Sequence, residues 1–137
     1  AAKQALRGGY IVKAANGRPD VVLIANGSEV GTLHDALEIL EQEDGLQAQL
    51  VSVPSEGLFL NQAQTYIQQV LPPNIPRLGL TAGIPHTLSG LMQDGDKALG
   101  MGHFGYSASY TTLDQKFGYN GRHIANEIRK YLKERKG

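Results

Sequence analysis

A chain of 137 residues, 41% of them hydrophobic, suits one domain with a real core, and that apolar share excludes intrinsic disorder. Thirteen Lys and Arg balance thirteen Asp and Glu, so there is no net positive field to hold nucleic acid or an anionic membrane surface. The lack of cysteine rules out a disulfide framework, a thiolate nucleophile and a zinc–thiolate site, and it fits a reducing cytosol. No apolar run reaches the ~20 residues that cross a bilayer, and no signal peptide is recognisable. The chain opens on Ala1-Ala2 rather than on methionine, as an excised piece of a longer protein would.

Residues 1–7 read as a linker or lead-in, ended by Gly8-Gly9, and the domain proper is expected over 8–137. Tyr10 to Ala14 reads as a first strand, followed by the turn Asn16-Gly17-Arg18-Pro19-Asp20. That connection is too short for a parallel crossover, so strand 1 should lie antiparallel to strand 2. Val21 to Ala25 is an apolar, β-branched run of the kind buried on both faces. Asn26-Gly27 breaks it, and Ser28 is a candidate N-cap whose hydroxyl would accept an orphan backbone N–H. Val30, Leu33, Leu37 and Leu40 then mark one face of a helix that should end at Gly45.

Leu50 to Val53 is the third expected strand, stopped by Pro54. A single helix is expected after Ser55, with a stripe of Phe59, Ala63, Tyr66 or Ile67, and Val70, a glutamine-rich outer face, and a stop at Leu71-Pro72-Pro73. Arg77 to Ala82 is the fourth strand, His86 to Met92 a helical turn or two, and Ala98 to Met101 the fifth strand. A glycine-rich loop runs from Gly102 to Tyr110, and Thr111 to Phe117 is expected to be a short helix. Asn120 should cap a last helix with Ile124, Ile128, Tyr131 and Leu132 inward, and its basic end complements the helix dipole. Strands alternating with helices predict a three-layer α/β/α domain around a largely parallel sheet.

The motifs are sparse. Gly100-Met101-Gly102-His103-Phe104-Gly105 matches G-x-G-x-x-G, but no helix opens after it and no strand-end acid follows ~20 residues on, as a dinucleotide site requires. Asn26, Gly27 and Ser28 sit at a strand end and helix start, where open α/β sheets bind anions, although no P-loop lysine accompanies them. An ordinary strand-to-helix turn is the plainer reading. Asp94-Gly95-Asp96 has the wrong order for a thiamine-type metal motif, and no Asn-Asn follows it. His34, His86, His103 and His123 are scattered, with no i+3 or i+4 partner arrangement typical of a metal site, and G-x-S-x-G is absent. The residues alone reveal no catalytic, cofactor-binding or metal site.

Arg7-Gly8-Gly9-Tyr10-Ile11-Val12, Pro19-Asp20, and Gly27-Ser28-Glu29-Val30 resemble the start of the transketolase C-terminal domain. The register continues through Val51-Ser52-Val53-Pro54-Ser55, Leu58-Phe59, Gln62, Tyr66, Val70-Leu71-Pro72, Ala82-Gly83, Gly100-Met101, Phe104-Gly105, Ser107-Ala108 and Phe117-Gly118. A dozen short matches in order across nearly the whole chain are specific. Thr81 departs from the acidic residue usual before Ala-Gly in that family.

The resemblance implies a five-stranded mixed sheet of order 1-3-2-4-5 with strand 1 antiparallel. It also implies a homodimeric, cytoplasmic enzyme that moves a two-carbon ketol unit between sugar phosphates. Thiamine diphosphate and Mg or Ca would be held by the remaining transketolase domains, with none bound by this piece, which alone should be inactive. In that strand order the switch-point crevice would be lined by Asn26, Gly27, Ser28, Ala82 and Gly83, so Asn26, Gly27, Ser28 and Gly83 form the candidate anion site. His103, Phe104, Tyr106 and Tyr110 form a candidate interface loop. The alternatives are the last domain of a related thiamine enzyme, of pyruvate dehydrogenase E1 or deoxyxylulose phosphate synthase type, and a free-standing anion- or nucleotide-binding module.

Overall fold

The computed structural model describes residues 7–81, 88, 90–93, 95–100, 110–112 and 120–136. Strands β1 (Tyr10–Lys13) and β2 (Val21–Ala25) precede helix α1 (Glu29–Asp44) and strand β3 (Ala48–Ser52). Helices α2 (Glu56–Leu60) and α3 (Gln64–Val70) follow, then strands β4 (Arg77–Thr81), β5 (Lys97–Gly100) and β6 (Tyr110–Thr112), and helix α4 (Gly121–Lys136). The sheet order is β1-β3-β2-β4-β5-β6. β1 runs antiparallel to β3, and every other pair is parallel.

The expected order 1-3-2-4-5 and the antiparallel first strand are therefore both present. The sheet extends one strand further than expected. Tyr110, assigned above to a loop, and Thr111 and Thr112, assigned to a helix, form β6 alongside β5. Tyr-Thr-Thr is a β-favouring run, and its backbone pairs with what would otherwise be the open edge of β5.

All five residues of β2 are fully buried, because β2 is flanked by β3 and β4 and covered on both faces. Val21, Leu23 and Ala25 point into one core with Leu33, Ala36, Leu37 and Leu40 of α1 and Ile124, Ala125, Ile128 and Tyr131 of α4. Val22 and Ile24 point into a second core with Val51, Phe59, Val70, Leu88 and Leu91. Each such aliphatic side chain stabilises the fold by about 1.5–3 kcal/mol on burial. Alternation along the strand thus feeds two helical layers from one apolar run.

The helix ends explain the local boundaries. Gly45 is left-handed at φ 66°, and the N–H groups of Gly45 and Leu46 converge on the Leu40 carbonyl, closing α1 where expected. The Ser55 hydroxyl accepts the Leu58 N–H at 3.4 Å, and the Asn120 side chain accepts the His123 N–H at 2.7 Å, so Ser55 caps α2 and the cap expected of Asn120 forms.

The single helix expected after Ser55 is instead two. Ala63 adopts an extended conformation (φ −59°, ψ 144°) and lies exposed, while the Gln62 side chain donates to the Leu58 carbonyl and finishes α2. Ala63 fits the stripe by spacing but has too little apolar surface to pull the backbone inward. Gln49, buried in β3, donates to the Val70 and Gln69 carbonyls and so satisfies the end of α3. Within the helical turn or two expected over His86 to Met92, the described residues Leu88, Gly90 and Leu91 carry 3₁₀ geometry.

Candidate functional site

The C-terminal ends of β2, β4 and β5 lie side by side, as the switch-point argument requires. Gly27 takes the left-handed φ of 58° there, with open space around its Cα. That conformation turns the chain so that Ser28 is already helical (φ −67°, ψ −21°). Its hydroxyl makes no cap bond and instead donates to the Glu29 carboxylate at 2.9 Å, which corrects the capping role expected of it. A true N-cap needs non-helical φ and ψ to swing its oxygen back over the first turn. The Asn26 amide donates to the Val53 carbonyl at 3.3 Å, tying β2's end to β3's.

The helix N-terminus therefore carries a carboxylate beside its hydroxyl. That negative charge already complements the helix dipole, and it opposes a phosphate or diphosphate at the same place. Gly83 and Ala82 lie outside the described residues, as do His103, Phe104 and Tyr106. Tyr110 lies in β6.

Histidine spacing needs one correction. His34 does have an i+4 carboxylate: its Nδ1 lies 3.0 Å from Glu38, and Asp35 completes a surface trio of possible ligand atoms. His123 likewise lies 3.7 Å from Glu127. These are helix-surface pairs.

A buried polar cluster lies at the opposite end of the sheet, and sequence reading missed it. Asp96, fully buried just ahead of β5, accepts the Arg77 N–H at 3.1 Å, the Gln93 N–H at 2.6 Å and the Tyr131 hydroxyl at 3.1 Å. The Arg135 guanidinium stands 3.5 Å away. The Arg77 guanidinium donates to the Leu91 and Leu71 carbonyls at 2.7 and 3.1 Å. Burial pushes the Tyr131 phenol's pKa up, and the Asp96 charge adds to that. Burial also draws the Arg77 guanidinium's pKa down, against the pull of Asp96. The Tyr131 hydroxyl ties α4 to the residue ahead of β5, and the Arg77 guanidinium ties β4 to the Leu71 and Leu91 carbonyls. The only signal in the sequence was an aspartate next to glycine just before a strand.

The comparisons with known proteins bear on what these residues belong to. The family described as Transketolase-like TK C-terminal domain matches residues 8–120. This chain belongs to that family. Plasmid transketolase of Cupriavidus necator is 38% identical over 129 residues, which cover 93% of this chain and 19% of that protein. Transketolase 2 of Escherichia coli is 35% identical over 131 residues, covering 95% and 20%.

A crystal structure of Pichia stipitis transketolase in complex with sedoheptulose-7-phosphate matches with a TM-score of 0.82 at 28% identity, over 100% of this chain and 20% of that one. Transketolase from Leishmania mexicana matches with a TM-score of 0.76 at 29% identity, over 98% and 19%. This transketolase-type domain thus spans about one fifth of the length of the relatives it matches.

Proposed function

We propose that this chain serves as the C-terminal domain of a transketolase, where it acts as scaffold and contact surface while the chemistry takes place elsewhere. In this reading the longer protein is a cytoplasmic homodimer of the pentose phosphate pathway that transfers a two-carbon ketol unit between sugar phosphates. Thiamine diphosphate with Mg or Ca, held by the other domains, supplies the carbanion stabilisation. Among the described residues no helix is long and apolar enough to cross a membrane.

The observation that carries this reading is the family match over residues 8–120 together with a poor fit to the cofactor among the described residues. The start of α1 at the end of β2 presents the Glu29 carboxylate beside Ser28 and no Lys or Arg, and the His34–Asp35–Glu38 trio lies on the outer surface of α1. These residues do not fit thiamine diphosphate and its metal. A contact role is supported by Leu58 and Leu60 of α2, which remain 52% and 43% exposed. His103, Phe104, Tyr106 and Tyr110 would add to that contact surface.

The test is a ketol-transfer assay with a ketose phosphate donor and an aldose phosphate acceptor. The 137-residue chain with thiamine diphosphate and magnesium should show no transfer, whereas a longer protein carrying it as its last domain should. Turnover by the isolated chain would overturn the reading.

A further inference from the structure

In sequence Gly8-Gly9 marks the end of the lead-in, and the structure packs it tightly. Both glycines are buried. A Cβ on Gly8 would collide with the Phe59 nitrogen, the Ser55 oxygen and the Leu58 side chain. A Cβ on Gly9 would lie 2.8 Å from the Phe59 ring. Gly8 is left-handed at φ 84°, and its carbonyl accepts the Ser55 N–H at 3.0 Å, at the start of α2.

One side chain closes over this segment from α3. The Tyr66 hydroxyl donates to the Gly9 carbonyl at 2.8 Å, and its ring lies beneath the Arg7 guanidinium, 4.6 Å from the ring centroid. The ring itself is braced edge-on against Phe59, with centroids 6.2 Å apart. Four kinds of contact therefore converge on three consecutive residues: backbone pairing, a side-chain hydroxyl on a carbonyl, close approach without a side chain, and a cation over an aromatic face.

We infer that Tyr66 clamps Arg7–Gly9 onto α2 and α3, so that the double glycine is a fixed docking turn and not a hinge. The direction in which the polypeptide on the N-terminal side of Arg7 meets the domain is then set by the domain itself. Glycine is needed here for close approach, and its flexibility is suppressed. Tyr66 is a positioning residue: it holds a carbonyl and a cation on a segment 57 residues away in sequence.

Trypsin cleaves after arginine, so the bond between Arg7 and Gly8 reports on the clamp directly. In the intact chain that bond should be cut at least about tenfold more slowly than in a synthetic peptide of residues 4–13. Tyr66→Phe keeps the ring under Arg7 and loses the bond to Gly9, and it should speed that cut about fivefold. Exchange of the Ser55 amide hydrogen should rise with it, while cleavage at Arg129 and Lys130 in α4 stays at the parent rate. Equal cleavage of chain and peptide overturns the inference. So does a Tyr66→Phe chain with an unchanged Arg7 rate, or one in which the Arg7 and α4 sites speed up by the same factor.

Discussion

The two ends of the sheet are built differently. Where β2, β4 and β5 begin, side chains lace the strands together. Asp96 takes three hydrogen bonds and the Arg77 guanidinium reaches the Leu71, Pro72 and Leu91 carbonyls, while Asp20 and Gln47 exchange bonds, the Asp20 N–H to the Gln47 carbonyl at 2.7 Å and the Gln47 N–H to the Asp20 carboxylate at 2.9 Å. Where β2 ends, the Val53 N–H donates to the Ala25 carbonyl at 2.8 Å, while the side chains contribute one long amide bond from Asn26 and a hydroxyl turned to its neighbouring carboxylate. Open α/β sheets bind ligands beyond the strands' carboxyl ends, so the Asp96 lacing lies at the end remote from that crevice. Among the described residues, Asp96 and its partners serve to hold layers together, as a scaffold requires.

The sharpest way to break this contrast is Asp96→Ala. It strands the Tyr131 hydroxyl and two backbone N–H groups in a buried site and removes one ionic contact of Arg135, so a loss of about 3–5 kcal/mol is expected in urea unfolding. A loss under about 1 kcal/mol would show that the lacing is ornamental. At the other end, Gly27→Ala places a Cβ in open space at a left-handed φ, so only the backbone term applies and about 1–2 kcal/mol should be lost. A cost equal to that of Asp96→Ala would erase the difference between the two ends.

A finer comparison sets two nominal caps side by side. Asn120→Ala removes a real bond to the His123 N–H and should cost about 1 kcal/mol. Ser28→Ala removes only a hydroxyl bonded to Glu29, so a change within about 0.5 kcal/mol is expected. Paired thermal and urea midpoints of the two variants measure this, and a Ser28→Ala loss as large as that of Asn120→Ala would contradict the helical geometry of Ser28.

The central strand and its helix were legible because their signals are local and strong. Five apolar residues, a glycine break and a 3–4 spacing leave few alternatives for Val21 to Leu40. The antiparallel first strand followed from connection length alone. Asp96 was illegible because its partners, Arg77 and Tyr131, lie 19 and 35 residues away and only the folded sheet assembles them. Ser28 misled because a cap depends on backbone angles, and Gly27's left-handed turn was not written in the residue types. Ala63 misled because periodicity counts a small apolar residue as core, while packing requires surface to bury. β6 was missed because a three-residue strand has no period of its own to display.

The smallest effect belongs to the face joining α1 and α4. Arg122 holds the Glu43 carboxylate with two bonds of 2.8 and 2.6 Å, and Arg129 reaches both Glu43 and Asp44. The Arg122 guanidinium, and then Arg129, hold Glu43 down to a pKa of about 2 from 4.5. Asp44 is lowered by Arg129 in the same direction. A depressed carboxylate contributes its stability in full above the unfolded value and loses it as pH falls toward the folded one. The contribution should therefore be complete above about pH 5 and fade between there and about pH 2. Because these groups are exposed, water and salt screen them, and the effect should shrink further in about 1 M salt. Glu43→Gln tests this directly: its urea midpoint should fall slightly below the parent's at neutral pH and meet it near the acid end. A gap that stays constant across that range would mean that the charge on Glu43 is irrelevant and that the helices are joined by their apolar faces alone.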